Sequence, residues 1–455
     1  MDSPNIILVV FDTLRSNVWS VYGGDVETPY MRDFLRDSNI FPRPVAPSPW
    51  TAPSHMSFFT GFYPGEHGVH EDMEHGDGNV LEKIFEYDGE NIISKLRDIG
   101  YTTIGYSANP WLSPGTGFDR YFNSFTFFSP EYMNIEEMNA VNEYKKYGKN
   151  RYQAAKNLLI SGNFKELSRY YSIHRRIIKR KREVGYPFIK GSDIIVDQIM
   201  NSSYEQPFFL FINLMEAHEP SAPWELDTDD RKIKYLDLAG KDIISEKRMN
   251  ETREGYKRSL GILDRQFGRL VEYLKKMRIY ENTMIIVTSD HGQALKEERK
   301  VPYYGHGNFL YDEIIEVPLI IKFHGNRKID IKNGNQSLVN LPEQIISAVE
   351  GNFDDFMTSE YVFSESFGPV HDLETLVKEG VLPSDIDYVG MRNKILYPKK
   401  AVYWNKYKMV VNGLTGEIDE FKENGKDIDQ NEKKDVLDHL REQIYIFKGK
   451  ENFKV

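Results

Sequence analysis

Six side chains able to hold a metal ion, Asp12, Glu216, His218, Asp290, His291 and His306, each lie at the end of an apolar run or in the loop after one. Thr51 stands apart from them, in Pro47-Ser48-Pro49-Trp50-Thr51-Ala52-Pro53-Ser54-His55-Met56-Ser57-Phe58-Phe59-Thr60-Gly61. Pro53 suits a first helical turn and Gly61 an end, so the spacing predicts a helix that starts at Thr51. A hydroxyl there faces the positive end of the helix, which favours an anion such as phosphate or sulfate and lowers the cost of an alkoxide. Taken alone, Thr-x-Pro-Ser is an ordinary helix start; the Asp, Glu and His set gives the nucleophile reading its weight. Such donors suit zinc or manganese at a catalytic site with open positions, with magnesium or calcium compatible with the oxygens. Two ions could clamp a phosphoryl group, one on the Thr51 alkoxide and one on an ester oxygen.

The elements that must position these groups are legible as apolar runs. Residues 5–11 have the pattern of a strand buried on both faces of a parallel sheet; 207–214 continue that sheet, 282–289 are another buried strand and 317–322 a further strand. Ligands of open α/β sheets gather at the carboxyl ends of strands. That is where Asp12, the pair Glu216-x-His218 and Asp290-His291 stand, although Asp12 also fits a turn or helix cap. Adjacent Asp290 and His291 can turn onto one ion past the strand end, with Gly292 giving the backbone room. Residues 101–106 predict a further strand that delivers Asn109, a donor to a substrate oxygen unless Asn109-Pro110 is only a turn. Arg15 is the other candidate for holding substrate oxygens, and fits a structural cation equally well. His67, His70 and His75 match no ligand spacing and read as loop or supporting residues. Leu260, Leu263, Phe267, Leu270, Val271 and Leu274 predict an amphipathic core helix.

The 455 residues, 40% hydrophobic and 13% aromatic, are enough for a large core and exclude a disordered chain. A formal charge of -11 argues against a nucleic-acid scaffold or an anionic membrane surface. Absence of cysteine excludes disulfides and thiolate ligands. No apolar run approaches a membrane span and no basic leader precedes residue 5, so a soluble cytoplasmic protein is the expectation. Residues 129–200 lose the strand and helix alternation and read as an inserted helical segment; its basic run at 175–182 is a solvated face or an anion-binding surface. The oligomeric state is not legible.

Taken together, Asp12-Thr13-Leu14-Arg15, the segment from Thr51 to Gly61, Gly100-Tyr101-Thr102-Thr103, Ser289-Asp290-His291-Gly292 and Tyr311-Asp312-Glu313 before Val317-Pro318-Leu319 resemble the sulfatase branch of the alkaline phosphatase superfamily. The resemblance implies an α/β/α sandwich, with a central mostly parallel sheet and a small C-terminal antiparallel sheet. The catalytic domain would cover 1–355 and the C-terminal subdomain, with its terminal helix, 356–455. Sulfatases convert Cys or Ser, in Cys/Ser-x-Pro-x-Arg, to formylglycine. Here Thr51 holds that place and cannot become such an aldehyde, and His55 replaces the arginine. Thr13 replaces a second carboxylate or amide and should be a poorer metal ligand. Ser107 and Asn109 stand where sulfatases present lysine and histidine, and His306 where they carry another lysine.

These departures resemble the two-metal, threonine-nucleophile phosphatases, phosphodiesterases and mutases of the same superfamily. By that resemblance Asp12, Asp290, His291 and Thr51 form one metal site and Glu216, His218 and His306 a second. Arg15 and Asn109 would bind substrate. The implied activity is hydrolysis of a phosphate mono- or diester of a small molecule, saccharide or lipid through a covalent Thr51 intermediate. A sulfatase acting without formylglycine, a phospho-group transferase and a non-catalytic metal-bound scaffold are the alternatives.

Overall fold

In the computed structural model, which describes residues 3–128, 147, 151–183, 189–227, 229–241, 243–299 and 301–447, the apolar runs form the middle of one sheet. β1 (Asn5–Phe11) is buried along its whole length. It is joined by β2 (Asn39–Ile40), β3 (Thr102–Ser107), β4 (Ser124–Phe127), β5 (Phe208–Leu214), β6 (Thr283–Thr288) and β7 (Leu319–Lys322). The seven strands lie in the order β2-β7-β6-β1-β5-β3-β4. Only β7 runs against its neighbours; the remaining pairings are parallel. Strands covered on both faces have no wet side, which is why they read as continuous Val, Ile, Leu and Phe. Val10 pairs with Asn213 on one side and Thr288 on the other. That register brings Asp12 and Asp290, each two residues farther on, to the same edge.

Alternate residues of β1 feed two cores. Ile7, Val9 and Phe11 face a layer that includes α1 (Pro29–Arg36) and the 31-residue α4 (Glu246–Lys276), with α2 (Thr51–Thr60) and α3 (Asp230–Leu238) between them in sequence. The α4 stripe of Leu260, Leu263, Phe267, Leu270 and Leu274 is buried there, and Phe267 meets Phe34 of α1 edge-on at 4.8 Å between centroids. Ile6, Leu8 and Val10 face the opposite layer, where Phe59 of α2 packs on Phe211 at 5.4 Å. Each such Leu or Phe contributes about 1.5–3 kcal/mol on burial. The architecture is an α/β/α sandwich. α2 begins at Thr51 and ends at Gly61, whose φ of 77° is open to glycine without the Cβ penalty.

α5 (Asp312–Ile315) precedes β7. The chain then builds a five-stranded antiparallel sheet from β8 (Tyr361–Ser366), β9 (Lys399–Trp404), β10 (Tyr407–Asn412), β11 (Ile418–Glu423) and β12 (Lys426–Asp427). α6 (Lys434–Ile446) covers it through Leu437, Leu440 and Ile444 on Val402, Met409 and Phe421. Several hydrogen bonds fasten it to the sandwich. Glu365 of β8 donates its amide to the Pro47 carbonyl at 2.9 Å, and Lys422 of β11 donates to Asp312 at 2.6 Å. In the inserted segment, helices span Arg151–Ile160 and Phe164–Glu183, the second carrying the basic run; 129–146, 148–150 and 184–188 lie outside the described residues. Among the described residues no helix is long and apolar enough to cross a membrane.

Candidate active site

Asp12 follows β1 and is fully buried. Its Oδ2 accepts from Asn109 Nδ2 at 2.7 Å and Asn213 Nδ2 at 3.0 Å, and its Oδ1 from the Thr13 hydroxyl at 2.8 Å. Thr13 has φ 66°, a conformation costly for a β-branched residue. Partners over-determine it: the Tyr256 hydroxyl of α4 donates to the Thr13 carbonyl at 2.7 Å, and Asp290 Oδ1 accepts the Thr13 amide at 3.1 Å. Thr13 therefore orients the carboxylates on either side of it.

Thr51 occupies the first position of α2 and is 3% exposed. Asn109 Nδ2 donates to its Oγ1 at 3.2 Å, and His291 Nε2 lies 3.3 Å from the same oxygen. His291 Nδ1 donates to the Gly292 carbonyl at 3.0 Å, so Nε2 carries the lone pair and the Thr51 hydroxyl donates to it. No side chain caps α2, and Pro53 has no amide hydrogen, so the Thr51 and Ala52 amides are the ones its first turn presents beside the hydroxyl.

Asp12, Asp290 and His291 form one group whose donor atoms lie within 4.8 Å of one another. Burial and the neighbouring Asp12 push the Asp290 carboxyl up to about 7, while burial pushes His291 down to about 4. Burial also raises Asp12, but His218, His291 and the two amides outweigh it and hold the carboxyl below its usual value. Asp290 Oδ2 is buried with no hydrogen-bond partner. Two facing buried carboxylates and an orphaned oxygen are the surroundings that a divalent cation satisfies.

The second group is His218, Glu219 and His306, within the same 4.8 Å limit. His218 Nδ1 donates to the Glu219 carbonyl at 2.9 Å, and His306 Nδ1 lies 2.8 Å from Gln293 Oε1. Both rings thereby keep Nε2 for a ligand, the arrangement that outer hydrogen bonds impose on metal-binding histidines. Glu219 Oε2 has no hydrogen-bond partner. The ring centroids of His291 and His306 are 4.5 Å apart, so the groups adjoin. His218 and His306 side chains are 21% and 12% exposed against 0% for Asp290 and His291, which puts the second group on the solvent side.

Two expected residues lie elsewhere. Glu216 is not in the second group: its Oε1 accepts the amides of Lys190 and Ser192 at 2.9 and 3.0 Å, because the chain turns after β5 and Glu219 takes the place expected for it. Arg15 does not bring its guanidinium to Thr51. It donates to Glu297 and to the Gln293 carbonyl and lies over the Tyr256 ring. His55 is fully buried among Phe58, Phe59, Phe118 and Phe211, with Nδ1 on the Thr51 carbonyl at 2.9 Å; burial lowers its pKa, so it is a neutral ring where the resemblance placed an arginine. His67, His70 and His75 enter neither group.

Sequence reasoning missed Glu219, Asn213, Gln293 and the lysines behind the second group. Asn213 was visible as an amide inside an otherwise apolar strand. Lys234 donates to the His306 carbonyl at 3.0 Å, and Lys190, which burial lowers to about 8, donates to the carbonyls of Glu216 and His218. No local pattern announces either lysine.

Known proteins resemble this chain in sequence and in fold. The chain is 23% identical over 372 residues to an N-acetylglucosamine-6-O-sulfatase of Bacteroides thetaiotaomicron, covering 70% of this chain and 63% of that protein. It is 24% identical over 347 residues to the iduronate 2-sulfatase of Mus musculus, covering 71% and 60%. It thus spans less than two thirds of the length of these curated relatives. A phosphonate monoester hydrolase of Agrobacterium radiobacter shares the fold, with a TM-score of 0.62 at 14% identity over 98% of this chain and 95% of that one. The family model that matches, over residues 4–351, is Sulfatase; because it spans most of the chain and takes in Thr51 and both donor groups, the chain belongs to the sulfatase family.

Proposed function

We propose that the protein is a metal-dependent ester hydrolase in which Thr51 is the nucleophile and a phosphate mono- or diester the substrate. One observation carries the reading: the Thr51 hydroxyl, at the uncapped start of α2, is held between Asn109 Nδ2 and His291 Nε2 at 3.2 and 3.3 Å. Asp12, Asp290 and His291 would hold one divalent cation, His291 through the Nε2 lone pair that accepts the Thr51 hydroxyl when no cation is bound, and His218, Glu219 and His306 a second. Cations bound there supply Lewis acidity, lowering the pKa of a hydroxyl and withdrawing charge from the transferred group.

The chain's own residues do the positioning. Asn109 keeps one amide hydrogen on Asp12 and one on Thr51, which fixes the nucleophile before substrate arrives. The Thr51 and Ala52 amides point where non-bridging oxygens of the ester would lie, at the positive end of α2. Thr51 Oγ1, its proton given up to solvent, attacks phosphorus in line, and the bond to the departing oxygen breaks as that oxygen takes a proton from solvent. Water then attacks the phosphorylated Thr51, Oγ1 leaves and takes the proton the water gives up, and the product released is inorganic phosphate from a monoester or a phosphate monoester from a diester.

A second reading, a sulfuric ester hydrolase using intact Thr51, has support in the names of the relatives, which act on sulfated saccharides. Those names also favour a saccharide as the organic part. For a phosphate monoester the support is charge: a doubly charged phosphoryl group gains more from two adjacent cation sites than a singly charged sulfate ester or phosphate diester does. Metal-free protein reloaded with zinc or manganese is to be assayed on p-nitrophenyl phosphate, bis-p-nitrophenyl phosphate and p-nitrophenyl sulfate. Faster release from a phosphoester supports the first reading and from the sulfate the second. Failure to cleave any of them when metal-loaded contradicts both.

A further inference from the structure

Glu71 is 0% exposed, and none of the hydrogen-bond donors to its carboxylate is charged. Oε2 accepts the Trp50 indole N–H at 2.6 Å; Oε1 accepts the Phe367 amide at 2.7 Å and the Ser366 hydroxyl at 3.4 Å. A buried carboxylate without a cation is costly, and neither donor group uses this one.

What it holds leads to the reactive hydroxyl by two routes. Trp50 immediately precedes Thr51 and is the cap residue of α2, so fixing its ring fixes the turn that aims Oγ1. The Trp50 ring also packs edge-on against Trp111 at 5.2 Å and 78°. The Trp111 amide donates to Asn109 Oδ1 at 2.8 Å, and Asn109 Nδ2 reaches Thr51 Oγ1. Glu71, Trp50, Trp111, Asn109 and Thr51 close a ring of contacts around the hydroxyl. The Phe367 amide belongs to the segment leaving β8, which ties the ring to the C-terminal sheet.

We propose that Glu71 is a positioning residue that sets the Thr51 to Asn109 geometry by holding the Trp50 ring. The inference rests on the reading of Thr51 as nucleophile. Glutamine at position 71 keeps the volume but replaces one acceptor with a donor, so either the indole or the Phe367 amide faces an N–H.

The test compares Glu71→Gln, Trp50→Phe, the double variant and Thr51→Ala as metal-loaded full-length proteins, on whichever p-nitrophenyl ester the wild type turns over fastest. Glu71→Gln is predicted to lower kcat roughly tenfold, with KM within about twofold and metal content unchanged. The double variant should be no slower than the slower single one, since both act through one hydrogen bond. Wild-type kcat in Glu71→Gln beside an inactive Thr51→Ala overturns this inference alone, as do multiplying losses in the double variant. Full activity in Thr51→Ala overturns the nucleophile reading and this inference with it. If Glu71→Gln does not fold, Trp50→Phe decides, because it removes the donor and keeps an aromatic ring; unchanged kcat there overturns the proposal.

Discussion

His291 Nε2 lies 3.3 Å from Thr51 Oγ1, between residues 240 positions apart in sequence. One comes from the loop after β6 and the other from the first turn of α2. The contact is possible because β6 lies beside β1 at the middle of the sheet while α2 covers the adjacent layer. The same ring is 3.4 Å from Asp290 Oδ2, so the Thr51 hydroxyl and a pair of facing carboxylates share one neighbour.

Asn109→Ala should lower kcat about tenfold to a hundredfold, because it removes the amide shared by Asp12 and Thr51. Metal content should hold, since Asn213 still donates to Asp12. Asn109→Asp should be slower still, as a third carboxylate would approach Asp12. Steady-state kinetics with metal analysis checks both; a wild-type kcat in Asn109→Ala removes Asn109 from the mechanism.

Chelation of the metal-loaded protein should lower its melting temperature, and added zinc should restore it in a concentration-dependent way. Asp290→Asn gives the opposite sign in the metal-free protein, which should become more stable because the Asp12 and Asp290 carboxylates no longer oppose each other. The same variant should lose most of the metal-dependent gain. Thermal melts with and without zinc measure both, and an Asp290→Asn protein that still gains fully from zinc counts against this donor group.

Gly292→Ala should destabilise the protein by about 2 kcal/mol or more. A Cβ there would lie 2.2 Å from the Glu313 carbonyl and 2.8 Å from Arg15 Cβ, while the Gly292 amide already bonds the Ile314 carbonyl at 2.6 Å. The need is for close approach of α5 to the backbone beside His291. Denaturant unfolding reads the loss; an unchanged midpoint would mean that α5 moves freely.

Burial raises the Glu71 carboxyl from 4.5 to about 7. Between those values the native state keeps a proton that the unfolded chain has lost, so this group's contribution is full below pH 4.5 and is lost as pH rises through 7. The stability advantage of wild type over Glu71→Gln should therefore shrink by roughly 3 kcal/mol between pH 4.5 and 8. Urea unfolding across that range checks it, and a constant difference contradicts it.

Much of the frame was legible because it is local. The apolar runs predicted buried strands, and Thr51, Pro53 and Gly61 marked the helix that presents the hydroxyl. What was not legible depends on contacts made only after folding. Glu216 and Glu219 flank His218 almost symmetrically in sequence; the amides of Lys190 and Ser192, at the end of the inserted segment, draw Glu216 away. Arg15 follows the Asp12 strand as a substrate-binding cation would, but Glu297 and the Gln293 carbonyl capture it from a loop 282 and 278 residues away. Thr13 looked like a weakened ligand, whereas its left-handed backbone, pinned by Tyr256, arranges Asp12 and Asp290.

The most direct test of the Thr51 mechanism is to quench the metal-loaded enzyme in acid during turnover of its preferred ester and locate the covalently bound group by peptide mass spectrometry. The account predicts a phosphoryl or sulfuryl group on Thr51, absent from Thr51→Ala, which should also be inactive. A group found on another residue, or full turnover by Thr51→Ala, would contradict it.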